Sequence, residues 1–178
     1  MRAFQPLPDL WLISDERNDA GLESALRHLP RGSGFVFRHY HLAPAERIAR
    51  FSALLRLART KQHRIVLADS ALTALEWGAD GSYGAPLSLA PRRAGLLSIA
   101  TAHSAREMAT ANRMGADAVM ISPVFPTRSH PEAKTLGPVR FRQLAALAQM
   151  PVIALGGMTQ RNSARLGWQR WAAIDGLS

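Results

Sequence analysis

The chain has 178 residues, enough to bury one sizeable core, so a single domain over residues 1–178 is expected. The lack of cysteine excludes disulfides, thiolate catalysis and cysteine-ligated metal centres. With 22 Lys and Arg against 13 Asp and Glu, the formal charge is +9. This charge suits phosphorylated metabolites, nucleic acid or an acidic surface without choosing among them, and solvated Arg-rich helix faces would give the same total.

The apolar residues are spread along the chain in short runs. No run approaches the roughly eighteen residues that a membrane-spanning helix needs. Residues 1–9 contain one basic residue and lack the apolar segment of a signal peptide. We therefore expect a cytoplasmic protein without a membrane span.

Six short apolar runs predict buried β-strands. They are Leu10–Ser14, Gly34–Phe37, Arg64–Leu67, Leu96–Thr101, Ala118–Ser122 and Val152–Leu155. Between them, Pro44–Thr60 places apolar residues three and four positions apart, which is typical of an amphipathic helix. Ser104–Met114 begins with a serine followed three residues later by Glu107, the pattern of a capping box. Shorter helical patterns cover Ser70–Trp77 and Val139–Ala148, and another begins near Thr159.

This alternation of strands and helices predicts a parallel sheet with helical crossovers. Composition leaves open whether the sheet is doubly wound or closes into a barrel. Neither G-x-G-x-x-G after the first strand nor G-x-x-x-x-G-K-S/T is present, which argues against dinucleotide-binding and P-loop proteins. Both remaining architectures bind ligands at the C-terminal ends of their strands, so functional residues are expected in the loops that follow them.

A short Gly-Ala-Asp motif occurs twice, about one βα unit apart. Each copy, Gly78–Asp80 and Gly115–Asp117, follows a helical pattern and precedes an extended run. A glycine at that point accepts the left-handed conformation that ends a helix. Asp80 and Asp117 are therefore interpreted as structural residues rather than catalytic ones.

The loop from Ser122 to Gly137 is long for a compact domain and contains three prolines, which is typical of a functional loop. It carries two hydroxyls, a guanidinium and an imidazole that could together bind a phosphate group. These residues are Thr127, Arg128, Ser129 and His130. A rigid surface loop with solvated polar residues is the alternative.

Two further segments follow predicted strands. His103 stands just before a helix, where it could act as a general acid or base, or could equally be a structural residue. Gly156 and Gly157 stand between a strand and a helix, where their N–H groups could approach an anion, although such pairs are more often tight turns.

Charged residues also end two of the predicted strands. Arg38 and Asp69 occupy positions where barrel enzymes carry functional groups. Asp69 could hold Mg²⁺ that bridges a diphosphate, or it could cap the following helix. His39 and His41 share a face of the extended segment after Arg38, but the sequence offers no evident third ligand for a metal.

Several of these motifs together resemble those of thiamine phosphate synthases and the related TenI thiazole tautomerases. The most specific is Ser122-Pro-Val-Phe-Pro-Thr127 with Leu136-Gly137, which is similar to the family's G-P-V-F-P-T and L-G. The other matching segments, in the family's order, are Leu12-Ile-Ser-Asp15, Gly78-Ala-Asp-Gly81, Thr101-Ala-His-Ser104 and Ala154-Leu-Gly-Gly-Met158.

The resemblance implies a (β/α)₈ TIM barrel that joins a pyrimidine methyl diphosphate to a thiazole phosphate and releases pyrophosphate, with Mg²⁺ at the diphosphate. Arg38 matches an arginine of the family's second strand, and Asp69 matches the aspartate of its N-D-R motif. The ligand-binding positions implied by the resemblance are Thr127, Ser129 and Gly157. We also expect Thr101, Arg128, His130 and Gly156 to bind the substrate or its phosphate.

The chain also departs from the family pattern. Tyr40 replaces a lysine, Ala68 replaces the asparagine of N-D-R, and His130 stands where a diphosphate-binding lysine is usual. The segment Ser82–Ala85 brings no second carboxylate for magnesium. The chain length implies a short barrel with clipped helices and a truncated C-terminal end, so a homodimer could cover an open flank.

Three functions remain open from the sequence. The first is a transferase resembling thiamine phosphate synthase, with Arg38 at the diphosphate. The second is an isomerase resembling the TenI thiazole tautomerases, which would use His103 and need no metal. The third is a barrel that binds a phosphorylated ligand, or a nucleic acid through its Arg-rich surface, without catalysis. The resemblance favours small phosphorylated pyrimidine and thiazole ligands over nucleic acid as partners.

Overall fold

The computed structural model describes residues 6–127, 132, 134–175 and 177. Eight parallel strands pair in chain order and close into a barrel. The strands are β1 Leu10–Ile13, β2 Gly34–Phe37, β3 Arg64–Leu67, β4 Gly81–Gly84, β5 Leu97–Ala102, β6 Ala118–Ile121, β7 Val152–Leu155 and β8 Trp171–Ala173. Leu10 of β1 pairs with Trp171 of β8, which closes the barrel and confirms the (β/α)₈ prediction.

Apart from α2, which has 17 residues, the described helices around the barrel are short. They are α1 Leu22–His28, α2 Pro44–Thr60, α3 Ala71–Glu76, α4 Ala105–Met114, α5 Gly137–Ala145 and α6 Gln160–Leu166. Two 3₁₀ helices, Glu16–Gly21 and Pro86–Leu89, are also present, and the second of these stands between β4 and β5 in place of an α-helix. The prediction that some helices are clipped is therefore confirmed.

Alternating residues of each strand fill the inside of the barrel or contact the helices outside it. Inside, Trp11 and Ile13 pack with Val36, Val66 and side chains from the other strands. The Trp11 ring is so close to β2 that a Cβ at Gly34 would lie 2.2 Å from it. The inside of the barrel is thus a packed core.

Two of the eight strands, β4 and β8, were not among the predicted runs. β4 has the sequence Gly-Ser-Tyr-Gly, which is not an apolar run. Its first glycine is required by packing, because a Cβ at Gly81 would lie 2.3 Å from the Leu97 carbonyl oxygen. β8 has only three residues. The other six strands agree with the prediction to within one residue at each end.

The Gly-Ala-Asp motifs have the structural role expected of them. The Asp80 carboxylate accepts the Ile65 N–H at 2.9 Å and also contacts Arg59. The Asp117 carboxylate accepts the Ser98 N–H at 2.8 Å and contacts Arg92. Each aspartate therefore fixes the start of the neighbouring strand.

Candidate active site

A cavity of about 730 Å³ opens at the C-terminal ends of the strands. This volume suits a small-molecule ligand. Six of the predicted site residues line it: Arg38, Thr101, His103, Thr127, Gly156 and Gly157. Three further predicted residues, Arg128, Ser129 and His130, lie outside the described part of the chain. Asp69 is not among the residues that line this cavity; it lines a smaller cleft next to it.

His103 is held in one defined orientation at the cavity. Its Nδ1 lies 2.7 Å from the Ser122 carbonyl oxygen, which can only accept, so Nδ1 carries the proton of the neutral ring. The lone pair is then on Nε2. The side chain can therefore accept a proton at Nε2 or, once protonated, donate it to a ligand.

The helix behind His103 reinforces this position. As predicted, Ser104 caps α4 by accepting the Glu107 N–H. The Glu107 carboxylate, however, accepts the N–H of His103 at 2.5 Å, where a standard capping box would use the N–H of the capping serine. The cap thereby fixes the backbone of the candidate acid or base itself.

The two glycines after β7 let two loops pack against each other. A Cβ at Gly156 would lie 2.7 Å from Pro123 Cα, and one at Gly157 would lie 2.4 Å from the Pro126 carbonyl oxygen. Val124 and Phe125 donate their N–H groups across this contact to Leu155 and Gly156. The glycines thus place the Ser122–Thr127 segment, a role that sequence reasoning did not assign to them.

The Gly157 N–H remains for a ligand as far as the described residues show. Within that part of the chain, it donates to no backbone carbonyl or side chain. Gly157 lines the cavity and has a φ of +61°, in the left-handed region. Its position is therefore compatible with the phosphate contact that the resemblance implies.

Two tyrosines that were not predicted as site residues, Tyr40 and Tyr83, also line the cavity. The Arg38 guanidinium lies 5.8 Å from the centre of the Tyr40 ring, within range of a cation–π contact. Tyr83, at 8% exposure, faces the same cavity. Burial raises the pKa of Tyr83 to about 12, so its hydroxyl keeps its proton and can donate it. Predicting β4 would have revealed Tyr83 as a strand-end residue.

Asp69 forms an ion pair with a helix arginine. Its Oδ2 lies 2.7 Å from Arg47 Nη1, and its Oδ1 accepts the Ser70 N–H at 2.8 Å. Burial would raise the pKa of Asp69, but these hydrogen bonds and that of Thr73 outweigh it and hold the pKa below its ordinary value. Asp69 therefore carries a negative charge that Arg47 already neutralises.

The donors around Asp69 do not fit Mg²⁺. A guanidinium in contact with the Asp69 carboxylate would repel a divalent cation, and Mg²⁺ usually needs one or two free carboxylates. In residues 6–127 and the other described positions, no three His, Asp or Glu side chains form a group that could hold a metal. Arg47 also donates to the carbonyl oxygens of Arg38 and Ala68, so it ties the ends of β2 and β3 together.

This arrangement predicts that Asp69 matters for stability rather than metal binding. Arg47→Ala should lower the free energy of unfolding by roughly 2 kcal/mol, because it removes the cation that pairs with Asp69 and the donor to two carbonyl groups. Arg56→Ala, an exposed arginine of the same helix, is the matched control and should change it little. Urea unfolding measures both values.

The metal part of this prediction is tested by titration with Mn²⁺ followed by electron paramagnetic resonance. Wild type and Asp69→Asn should both show no saturable site. A site present in wild type and lost in Asp69→Asn would contradict the interpretation.

The comparisons with known proteins agree with the motifs at the cavity. A family model described as thiamine monophosphate synthase matches residues 10–176, a range that contains all eight strands. The chain belongs to this family. The match confirms the resemblance inferred from the Ser122–Thr127 segment and the other motifs.

Individual members of the thiamine monophosphate synthase family align over different lengths. A putative thiamine-phosphate synthase 2 of Aquifex aeolicus is 41% identical over 59 residues, 33% of this chain and only about a third, 32%, of that relative. A thiamine-phosphate synthase of Chloroflexus aurantiacus is 31% identical over 90% of this chain and 79% of its own length.

A solved structure supports the fold. Thiamine phosphate pyrophosphorylase from Pyrococcus furiosus superposes with a TM-score of 0.76 and 24% identity, covering 93% of this chain and 85% of that one. Among the described residues of this family member, no helix is long and apolar enough to cross a membrane.

Proposed function

We propose that this chain joins a pyrimidine methyl diphosphate to a thiazole phosphate, the reaction of thiamine phosphate synthases. The observation that carries the proposal is that six predicted site residues line one cavity, in a chain that belongs to the family. The names of the relatives support the substrate class.

In this reaction the bond between the pyrimidine methylene carbon and the diphosphate oxygen breaks, and pyrophosphate leaves with the electron pair. The thiazole nitrogen supplies its lone pair to the methylene carbon, which gives thiamine phosphate. Arg38 would stabilise the charge on the leaving pyrophosphate, because a fixed guanidinium in a partly enclosed site favours a developing anion. The Gly157 N–H would bind the thiazole phosphate. Because Asp69 is paired with Arg47, we assign no step to a protein-bound metal ion.

The test is an assay with both substrates, with Mg²⁺ added and with chelator. Thiamine phosphate and pyrophosphate should appear in equal amounts. Arg38→Ala should lower kcat/KM by about 100-fold, as the loss of a charge-stabilising donor typically does, while Arg56→Ala should leave it unchanged. If neither condition gives pyrophosphate release by the wild type, the proposal is wrong.

A second candidate function is favoured by the geometry of His103. With Nδ1 bonded to the Ser122 carbonyl oxygen, Nε2 is free to take a proton from one atom of a thiazole carboxylate phosphate and return it to another, which is an isomerisation. This reaction should proceed at the same rate when a chelator removes metal ions, and it should incorporate deuterium from D₂O into the product. Failure to isomerise that substrate would eliminate this candidate.

A further inference from the structure

A buried histidine lies directly behind the cavity. His39 follows Arg38 in the chain, is only 1% exposed and has a φ of +37°. Its Nδ1 lies 2.7 Å from Ser14 Oγ, and its Nε2 lies 2.7 Å from Asp19 Oδ1. None of Ser14, His39 and Asp19 lines the cavity, and the reactions proposed above use none of them.

The hydrogen bonds of these side chains have a defined direction. The Asp19 carboxylate accepts, so His39 donates its Nε2 proton and keeps a lone pair on Nδ1. Ser14 donates its hydroxyl proton to Nδ1, and its oxygen accepts the N–H of Arg38 at 2.8 Å. Burial lowers the pKa of His39 despite the opposing effect of Asp19, which favours the neutral ring that this pattern requires. Asp19, His39 and Ser14 thus form a chain of hydrogen bonds, here called the relay, which ends at the backbone N–H of Arg38.

The other contacts of His39 and Asp19 are equally specific. The His39 ring stacks on Phe37 with centres 4.6 Å apart and planes 2° from parallel. Arg50 donates to Asp19 at 2.8 Å and also binds Glu23. These contacts can hold a non-glycine residue in the left-handed region, which otherwise costs about 1 kcal/mol or more.

The geometry points to a positioning function, and we propose that Ser14, His39 and Asp19 orient Arg38 toward an anionic ligand in the cavity. The left-handed turn at His39 buries the imidazole while Arg38, one residue earlier, lines the cavity. Ser14 is fully buried, so this Ser-His-Asp arrangement cannot present a nucleophile to a ligand. The inference rests on the proposed function only in that it takes Arg38 to be the residue that binds the anionic ligand.

The proposal is tested by a double-mutant cycle on binding of inorganic pyrophosphate, measured by calorimetry. Ser14→Ala removes the relay without adding bulk and should weaken binding by about tenfold, the effect of one charge-assisted hydrogen bond lost through Arg38. In the Arg38→Ala background, Ser14→Ala should have no further effect. If the two losses multiply instead, the relay does not act through Arg38.

A ligand-free readout separates this proposal from the proposed function. Amide hydrogen exchange of Arg38 should accelerate by about tenfold in Ser14→Ala and in His39→Asn, since asparagine tolerates the left-handed backbone but cannot bridge Ser14 and Asp19. His63→Gln is the matched control. His63 is also 1% exposed, but it lies just before β3, at the end of the barrel opposite to the cavity, and its Nε2 bonds the Leu26 carbonyl oxygen of α1. It should leave Arg38 exchange unchanged.

Unchanged exchange of Arg38 in both relay variants would overturn the proposal. If wild type binds neither pyrophosphate nor thiamine monophosphate, the proposed function fails, and the exchange rates alone decide whether the relay positions Arg38.

Discussion

Gly157→Ala should weaken binding of thiamine monophosphate by about 100-fold, the effect of displacing a contact by roughly an ångström. A Cβ there would lie 2.4 Å from the Pro126 carbonyl oxygen and 2.8 Å from Phe125 Cβ, so the Ser122–Thr127 segment must move away. The phosphate contact and the carbonyl that orients His103 would move with it. Isothermal titration calorimetry measures the change.

Gly167→Ala is the matched control for this variant. Gly167 also has a φ of +61°, but a Cβ there would come no closer than 3.5 Å to the end of the Arg142 side chain. Both variants therefore have the same backbone strain, of about 1 kcal/mol, and only Gly157→Ala has the collision. Equal affinities in the two variants would show that the packing of these loops does not form the binding site.

His103→Gln should lower kcat for isomerisation of a thiazole carboxylate phosphate by about 10³-fold, because the glutamine amide cannot act as a general acid or base. It should change the affinity for thiamine monophosphate little, since an amide N–H can still donate to the Ser122 carbonyl oxygen. His28→Gln, an exposed histidine of α1, should have no effect on either quantity. The measurement is steady-state kinetics beside a binding titration.

The same variant separates the two candidate reactions. If the chain is a synthase, His103→Gln should reduce thiamine phosphate formation much less than Arg38→Ala does. A variant with wild-type rates in both reactions would remove His103 from the chemistry altogether.

The sequence predicted the location of the site because parallel strands end at one edge. Arg38, His103 and Thr127 come from three different strand ends, and the structure places them at one cavity. The barrel could be predicted from the spacing of six apolar strands together with the family motifs. β4 was missed because its sequence, from Gly81 to Gly84, is dictated by close packing rather than by hydrophobicity.

Long-range side-chain partners could not be predicted in the same way. Asp69 has the sequence position of a metal ligand, and only the folded chain shows Arg47, 22 residues earlier, in contact with it. His39 was considered beside His41 because they are neighbours in sequence. Its hydrogen-bond partners are Ser14, which follows β1, and Asp19, which lies in the 3₁₀ helix Glu16–Gly21.

The structure also shows what Tyr40 contacts in place of the family's lysine. Tyr40, in place of a lysine, contacts both Arg38 and Arg47 through its ring. Arg47 in turn lies 5.4 Å from the centre of the Trp77 ring. The positive charge at this edge of the barrel is thus carried by arginines whose guanidinium groups lie against aromatic rings, which keeps them oriented.

A crystal structure of the chain with thiamine monophosphate tests the central claim most directly. We expect the ligand in the cavity at the C-terminal ends of the strands, with a phosphate oxygen about 3 Å from the Gly157 nitrogen. Thiamine monophosphate bound elsewhere on the surface, or a cavity without it at a saturating concentration, would contradict the account.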